Sequence, residues 1–375
     1  MKKVSLKSFF VILSLLLVLP APVMANQDQD IGTSRWVIDD VLPPDIVPLA
    51  IGHRGYGVNL GEILDNPIEN TTKSVRRAFL EGVQIVEVDA NLTADNVAVA
   101  LHDDYLPDLT CINTLTFKEL KKILPGISSL RQILKVSRTY SVMTESDRPS
   151  GQVVVEIKTP TPFCVPLEEE EDALEALVDA VLDDIRFTRM VDQVTIESFS
   201  PEILDLVADE NMDIPLMLAL DVLQLLPLEL IGPASGGEYI VRIIEKDSFD
   251  LAWGEVGIEL YPGGPELWLF RVPGYYTEES GGALGNYIRV LGETGSTIAS
   301  LDKRVLFMAA DPPHPLAAAV VVGELHSYGF NVLVFTIDFE NPYLGYIDEW
   351  PFMSQAGVDG MYVDDIPTGL DMEGQ

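Results

Sequence analysis

Two rhythms of apolar and polar positions run along this chain. Short, nearly unbroken apolar runs rich in Val, Ile and Leu are predicted as buried parallel strands at Pro48–His53, Gln84–Ala90, Val97–His102, Val153–Lys158, Gln193–Ser198, Ile214–Leu220, Asn331–Asp338 and Asp359–Val363. Helical spacing fills several of the gaps, at Thr72–Glu81, Phe117–Leu124, Glu170–Arg186 and Pro201–Glu210. Strands alternating with amphipathic helices predict an α/β fold, a (β/α)8 TIM barrel. The alternation is imperfect, because only a short turn at Thr93–Asn96 separates the second strand from the third. From about Asp221 to Lys303 the rhythm breaks into Gly-Gly and Pro-Gly turns, aromatic residues and short alternating runs such as Tyr239–Ile244. That stretch, about 221–303, is predicted as a β-rich segment inserted late in the barrel. It is either a structural elaboration or a lid whose aromatics (Trp253, Tyr261, Trp268, Phe270, Tyr275, Tyr276) shape a pocket. An extra strand at Val305–Ala309 follows it and leaves the identity of strand seven open.

The first 25 residues have the layout of a signal peptide. Lys2, Lys3 and Lys7 precede an apolar run from Phe9 to Leu19, and Val23-Met24-Ala25 suits cleavage before Asn26. An uncleaved anchor is the alternative, and no Cys follows the run to make a lipoprotein. Residues 26–47 are polar and contain Pro, and are read as a linker or arm, so the barrel domain spans 48–370. Secretion or a periplasmic location is expected. With 375 residues and a formal charge of −35, the chain repels nucleic acid and anionic membranes, so neither is an expected partner, and no stable membrane anchor is expected after cleavage. The acidic run Glu168–Asp172 reads as a solvated helix start rather than a metal site. A disulfide between Cys111 and Cys164 is possible, since both lie just beyond expected strands on the loop face.

Candidate chemistry sits where the apolar runs stop. The chain has four His, and two of them, His53 and His102, close strands within fifty residues of each other. Polar residues at the carboxyl ends of parallel strands converge on one face of an α/β barrel. An imidazole pair can exchange a proton near neutral pH. Glu87 and Asp89 are two apart on one strand and share its inward face, and Glu156 ends the fourth strand in the same phase as Lys158. Buried like charges need a cation or a partner, and three carboxylates suit one divalent ion, Ca²⁺ or Mg²⁺. An ion-pair network with Arg54 and Lys158, without metal, is the alternative. Arg54 and Lys158 suit phosphate contact. Glu69, opening a helix in Glu-Asn-Thr, is a substrate contact, a metal neighbour or a helix-start carboxylate. Glu197 is a weaker candidate, and His314 and His326 read as structural or solvated.

These residues lie in a recognisable set of blocks: His53-Arg54-Gly55, Asn66-Pro67-Ile68-Glu69-Asn70-Thr71, Val86-Glu87-Val88-Asp89, Leu92-Thr93, Leu101-His102-Asp103-Asp104, Val155-Glu156-Ile157-Lys158, Phe335-Thr336-Ile337-Asp338, and Gly357-Val358-Asp359-Gly360 running on to Asp364-Asp365-Ile366-Pro367. In order and spacing they resemble the glycerophosphodiester phosphodiesterase family, of the phospholipase-C-like phosphodiesterases. The resemblance spans roughly Leu49 to Pro367 and is broken after about Leu220. It implies a TIM barrel that hydrolyses glycerophosphodiesters to glycerol 3-phosphate and an alcohol. It also implies Glu87, Asp89 and Glu156 as metal ligands and the two His as general acid and base, with a cyclic phosphodiester made by the substrate's own glycerol hydroxyl as a route. The chain departs from the pattern at Ile68, at Pro107-Asp108-Leu109-Thr110 and at Phe335-Thr336-Ile337-Asp338, where headgroup preference would be set. A phospholipase of the same superfamily acting on intact lipids, and a barrel that binds without catalysis, are the other readings. A glycosidase explains neither the His pair nor Arg54.

Overall fold

The computed structural model of the chain describes residues 48–58, 67–141, 150–161, 164–166, 169–210, 212–221, 228–234, 238–243, 253–254, 282–307, 309, 313–337 and 348–374. The expected signal segment, the arm at 26–47, Asp338 and the aromatics Tyr261, Trp268, Phe270, Tyr275 and Tyr276 lie outside the described residues. In chain order come β1 (Leu49–Gly52), α1 (Thr72–Glu81), β2 (Ile85–Leu92), β3 (Ala98–Ala100), α2 (Phe117–Ile123), β4 (Ser128–Ser129), α3 (Leu130–Ser141) and β5 (Gln152–Ile157). Then follow α4 (Glu170–Thr188), β6 (Val194–Ser198), α5 (Pro201–Asp209), β7 (Leu216–Leu220), β8 (Leu228–Ala234), β9 (Glu238–Ile243), β10 (Trp253–Gly254) and α6 (Gly282–Glu293). The chain continues through β11 (Ile298–Asp302), α7 (Lys303–Phe307), α8 (Pro315–Ser327), β12 (Asn331–Ile337), α9 (Glu349–Ala356), β13 (Gly360–Val363) and α10 (Ile366–Glu373).

Eight parallel strands close into a TIM barrel in the order β1, β2, β5, β6, β7, β11, β12, β13 and back to β1. Two apolar layers follow from the alternation of side chains along each strand. Leu49, Ile51, Ile85, Val154, Met217, Ile298, Leu333 and Tyr362 fill the lumen. Their neighbours (Ala50, Val86, Val88, Val153, Val155, Ile196, Met361, Val363) face the helices. Each fully buried aliphatic side chain stabilises this arrangement by about 1.5–3 kcal/mol.

Local chemistry starts the helices at the strand ends. Thr71 caps α1 by accepting from the Ser74 amide, and Gly82 ends it at φ 113. Thr116 and Glu119 form a reciprocal capping box on α2. The acidic residues Glu170, Glu171 and Asp172 occupy the first turn of α4, a solvated start that complements the helix dipole.

Two strand predictions need correcting. The run predicted as strand three, Val97–His102, forms only β3, which pairs antiparallel with the far end of β2 and lies outside the barrel circuit. The strand that completes the eight is β11, sixth in the circuit and inside the stretch read as insertion, so α6 and β11 belong to the barrel repeat and the expected boundary at 303 is too late. The predicted strand Val305–Ala309 begins as the helix α7. These departures have one cause. A short apolar run carries no period long enough to tell a barrel strand from a side strand or a helical turn. The part of the insert that is described, β8 to β10, is a three-stranded antiparallel sheet, as its alternation predicted.

Candidate active site

The turn after β1 is built by sequence. A Cβ on Gly52 would lie 2.1 Å from the Gly55 carbonyl oxygen, and Arg54 and Gly55 both take positive φ, 48° and 93°. This tight turn points the Arg54 amide at Glu87 Oε2 (2.8 Å) and the Gly55 amide at the Glu87 carbonyl (2.9 Å). His53 thus stands at the carboxyl end of β1, against β2.

Strand phase does the rest. Because Ile85 and Val154 face the lumen, Glu87, Asp89 and Glu156 face it too, higher up. One oxygen from each of the three carboxylates lies within 4.8 Å of the other two, and all three residues are buried. Lys158 Nζ bridges Glu156 (2.6 Å) and Asp89 (3.1 Å). The Arg54 guanidinium reaches Glu69 (2.6 Å) and Asp89 (3.5 Å). Burial pushes the Glu87 carboxyl well above its usual range, and the charges of Asp89 and Glu156 push it further. Burial acts on Asp89 in the same direction, but Lys158, His102, Arg54 and the Asn70 amide overcome it and hold Asp89 low. Opposite shifts in carboxylates two residues apart set Asp89, which both Lys158 and Arg54 reach, against Glu87, which neither side chain is seen to pair.

Both imidazoles are tethered through Nδ1 to carboxylates. His53 Nδ1 lies 2.8 Å from Asp364 Oδ1, which also accepts the Val58 amide. Asp364 is low despite burial, because His53 bonds and charges it. With the proton on Nδ1, the His53 Nε2 lone pair faces Glu87 Oε2 at 4.0 Å. His102 Nδ1 lies 2.7 Å from Asp103, and Asn91 Nδ2 donates to the carbonyls of Leu101 and His102, fixing the end of β3. His102 is thereby tied to the site, since Asn91 stands two residues beyond Asp89 on β2. The loop beyond it is tied across to the loop after β5. Asp104 accepts from the Thr161 amide and hydroxyl, and a disulfide joins Cys111 to Cys164.

All eight predicted site residues therefore gather at the carboxyl ends of the strands. Glu197 joins them in the lumen, while His314 caps α8 and His326 bonds Asp359. The sequence reading missed the partners: Asp364, Asp103, Asn91 and Asn70, whose buried amide grips Asp89 through both its oxygen and its nitrogen. Asp364 did carry a signal, being in phase with the lumen-facing Tyr362. Asn70 sits inside a motif already singled out.

The donor set fits a divalent cation. Glu87 Oε1 is buried with no hydrogen-bond partner, and the four carboxylates of Glu69, Glu87, Asp89 and Glu156 outnumber the two cations Arg54 and Lys158 that they contact or neighbour. Hard oxygens in negative excess are the ligands Ca²⁺ and Mg²⁺ take.

The glycerophosphoryl diester phosphodiesterase family matches residues 53–225. No curated protein sequence matches the chain. A Silicibacter pomeroyi DSS-3 protein assigned as a glycerophosphoryl diester phosphodiesterase shares 17% identity with a TM-score of 0.59, over 90% of this chain and 96% of its own. A glycerophosphodiester phosphodiesterase from Parabacteroides distasonis ATCC 8503 shares 17% identity at a TM-score of 0.55, over 88% and 98%. An Oleispira antarctica phosphodiesterase in complex with sn-glycerol-3-phosphate shares 16% identity at a TM-score of 0.54, over 87% and 97%. The stretch of this chain that is similar to the glycerophosphoryl diester phosphodiesterase family begins at His53 and takes in the turn, the three carboxylates and both imidazoles.

Proposed function

We propose that the chain is a divalent-cation-dependent phosphodiesterase that hydrolyses glycerophosphodiesters to sn-glycerol 3-phosphate and an alcohol, with His53 and His102 as the acid–base pair. The observation that carries this reading is the gathering of three buried carboxylates, an Arg–Lys pair and a carboxylate-tethered imidazole at one barrel mouth. The family match over residues 53–225 supports the reaction class, and the product bound to the Oleispira antarctica neighbour supports the substrate class.

Glu87, Asp89 and Glu156 would hold the ion, which when bound supplies Lewis-acid stabilisation of charge on the phosphoryl oxygens. Lys158 and Arg54 add fixed positive charge for the phosphate, Lys158 as a point and Arg54 as a fork. Asp364 keeps the His53 proton on Nδ1, so Nε2 is the atom that exchanges protons. One imidazole takes the proton of the attacking hydroxyl as the phosphorus–oxygen ester bond breaks. The other gives a proton to the departing alkoxide, and water completes the hydrolysis. Export through residues 1–25 belongs to the same reading, because a disulfide between Cys111 and Cys164 persists in an oxidising compartment.

The test is to strip the chain with EDTA, return Ca²⁺ or Mg²⁺, and assay glycerophosphocholine for sn-glycerol 3-phosphate. Activity should vanish with EDTA and return with the ion. His53→Ala and His102→Ala should each lower kcat by about 10²–10⁴ while the fold survives. Either variant keeping near-normal turnover removes that residue from the mechanism. No hydrolysis by the intact, ion-loaded chain would leave a barrel that binds without catalysis.

A further inference from the structure

The lumen beneath the site contains a hydrogen bond that no step above uses. Tyr362, on β13, donates its hydroxyl to Glu197 Oε2 on β6 at 2.6 Å, and both residues are buried. Counted round the barrel in either direction, β6 and β13 lie four strands apart. The bond therefore spans the full width of the lumen. At one end Tyr362 lies in register with Ile51, in the lumen cluster of Ile85, Val154 and Ile298, and at the other Glu197 lies in register with Glu156 at the mouth. Above it the Tyr362 ring runs parallel to the His53 imidazole, 10° between planes and 6.3 Å between centroids. Two residues further on, on the same face of β13, Asp364 holds the Nδ1 edge of that imidazole. One strand thus supplies a plane beneath the His53 ring and an anchor at its edge. Glu197 fastens the plane to the opposite wall.

We propose that Tyr362 and Glu197 form a cross-barrel strut that positions the His53 imidazole, Tyr362 being a positioning residue for the acid–base step. This inference rests on the role given to His53 above. The three-carboxylate group does not include Glu197, whose Oε2 accepts from the Tyr362 hydroxyl. A phenol ring without an anchored hydroxyl can rock about χ1 and χ2. His53 would then keep its Asp364 bond at the edge but lose the fixed plane beneath it. Misplacing a catalytic group by a fraction of an ångström lowers kcat far more than it alters substrate binding.

Two variants separate the strut from mere packing. Tyr362→Phe keeps the ring and removes the hydroxyl, while Glu197→Gln keeps an acceptor for it. In the full chain carrying ¹⁵N-His, Tyr362→Phe should shift or broaden the His53 ring resonances and leave those of His314 and His326 in place. With glycerophosphocholine its kcat should fall by about tenfold or more, with KM unchanged. Glu197→Gln should stay close to the parent in both readouts. Parental His53 resonances and kcat in Tyr362→Phe would overturn the proposal, as would a lowered melting temperature with no change in either. Glu197→Gln falling as far as Tyr362→Phe would also overturn it, since Glu197 would then act by charge rather than as acceptor. Should Tyr362→Phe not fold, Glu197→Ala, which removes the acceptor, must reproduce the predicted loss. Should the chain show no diesterase activity at all, the His53 resonances still decide the strut, so the two failures are distinguishable.

Discussion

At the scale of single residues, charge balance decides what each side chain does. Glu87 is buried beside Asp89 and Glu156, and one of its oxygens has no partner. Its folded-state carboxyl is raised, so with the ion removed the folded protein binds a proton that the unfolded chain releases. Stability should then fall as pH rises from the ordinary carboxylate range through the raised folded value. In EDTA, Glu87→Gln should flatten that decline and raise the melting temperature, while abolishing the upward shift that Ca²⁺ or Mg²⁺ gives the parent. Melting curves across pH, with and without ion, read both effects, and an ion-induced shift surviving in Glu87→Gln would remove this carboxylate from the ligand set. His326 works in the opposite sense. Its hydrogen bond to Asp359 raises its folded value above the usual 6.5. The bond contributes fully below that usual value and is lost as pH rises through the raised one. His326→Gln should cost less than about 1 kcal/mol in acid, because the pair is half exposed, and nothing at alkaline pH. Equal destabilisation at both extremes would contradict the linkage. The site residues were legible one by one because each, Glu69 at its helix start apart, stands at or just past the end of an apolar run. Their partners were not, since Asp364 reaches His53 across 311 positions of sequence.

Among elements, legibility followed length and amphipathicity. Helices with a clear apolar face and caps, such as α1 and α5, fall within a residue or two of their predicted bounds. β3 and β11 did not, for each is a short apolar run whose neighbours decide its role. β3 pairs with β2 beyond the barrel and carries His102 to the rim, so a side strand delivers what a barrel strand was expected to deliver. That delivery depends on the disulfide and the Asp104–Thr161 bonds, which join the His102 loop to the loop after Lys158. With the two Cys 53 positions apart, removing the link as Cys111→Ser/Cys164→Ser should cost about 4 kcal/mol by the loop-entropy relation. Unfolding with and without reductant measures this. Identical curves for reduced and oxidised protein would mean that the bridge holds neither loop.

For the molecule as a whole, charge and closure govern. A net charge of −35 on 375 residues is self-repulsive. Shortening the Debye length from ~30 Å at 0.01 M salt to ~3 Å at 1 M should raise the melting temperature with NaCl. A melting temperature flat across that range would place the repulsion outside the folded state's energetics. Among the described residues no helix is long and apolar enough to cross a membrane. The sequence by itself determined the barrel class, the helices with distinct faces and the eight polar residues at strand ends. It could do so because burial and periodicity are local properties that each segment carries alone. Only the tertiary structure decided which runs close the barrel, that Glu197 meets Tyr362 across the lumen, and which carboxylate holds which imidazole. Those outcomes depend on strand order and register, which bring together atoms that no local pattern relates.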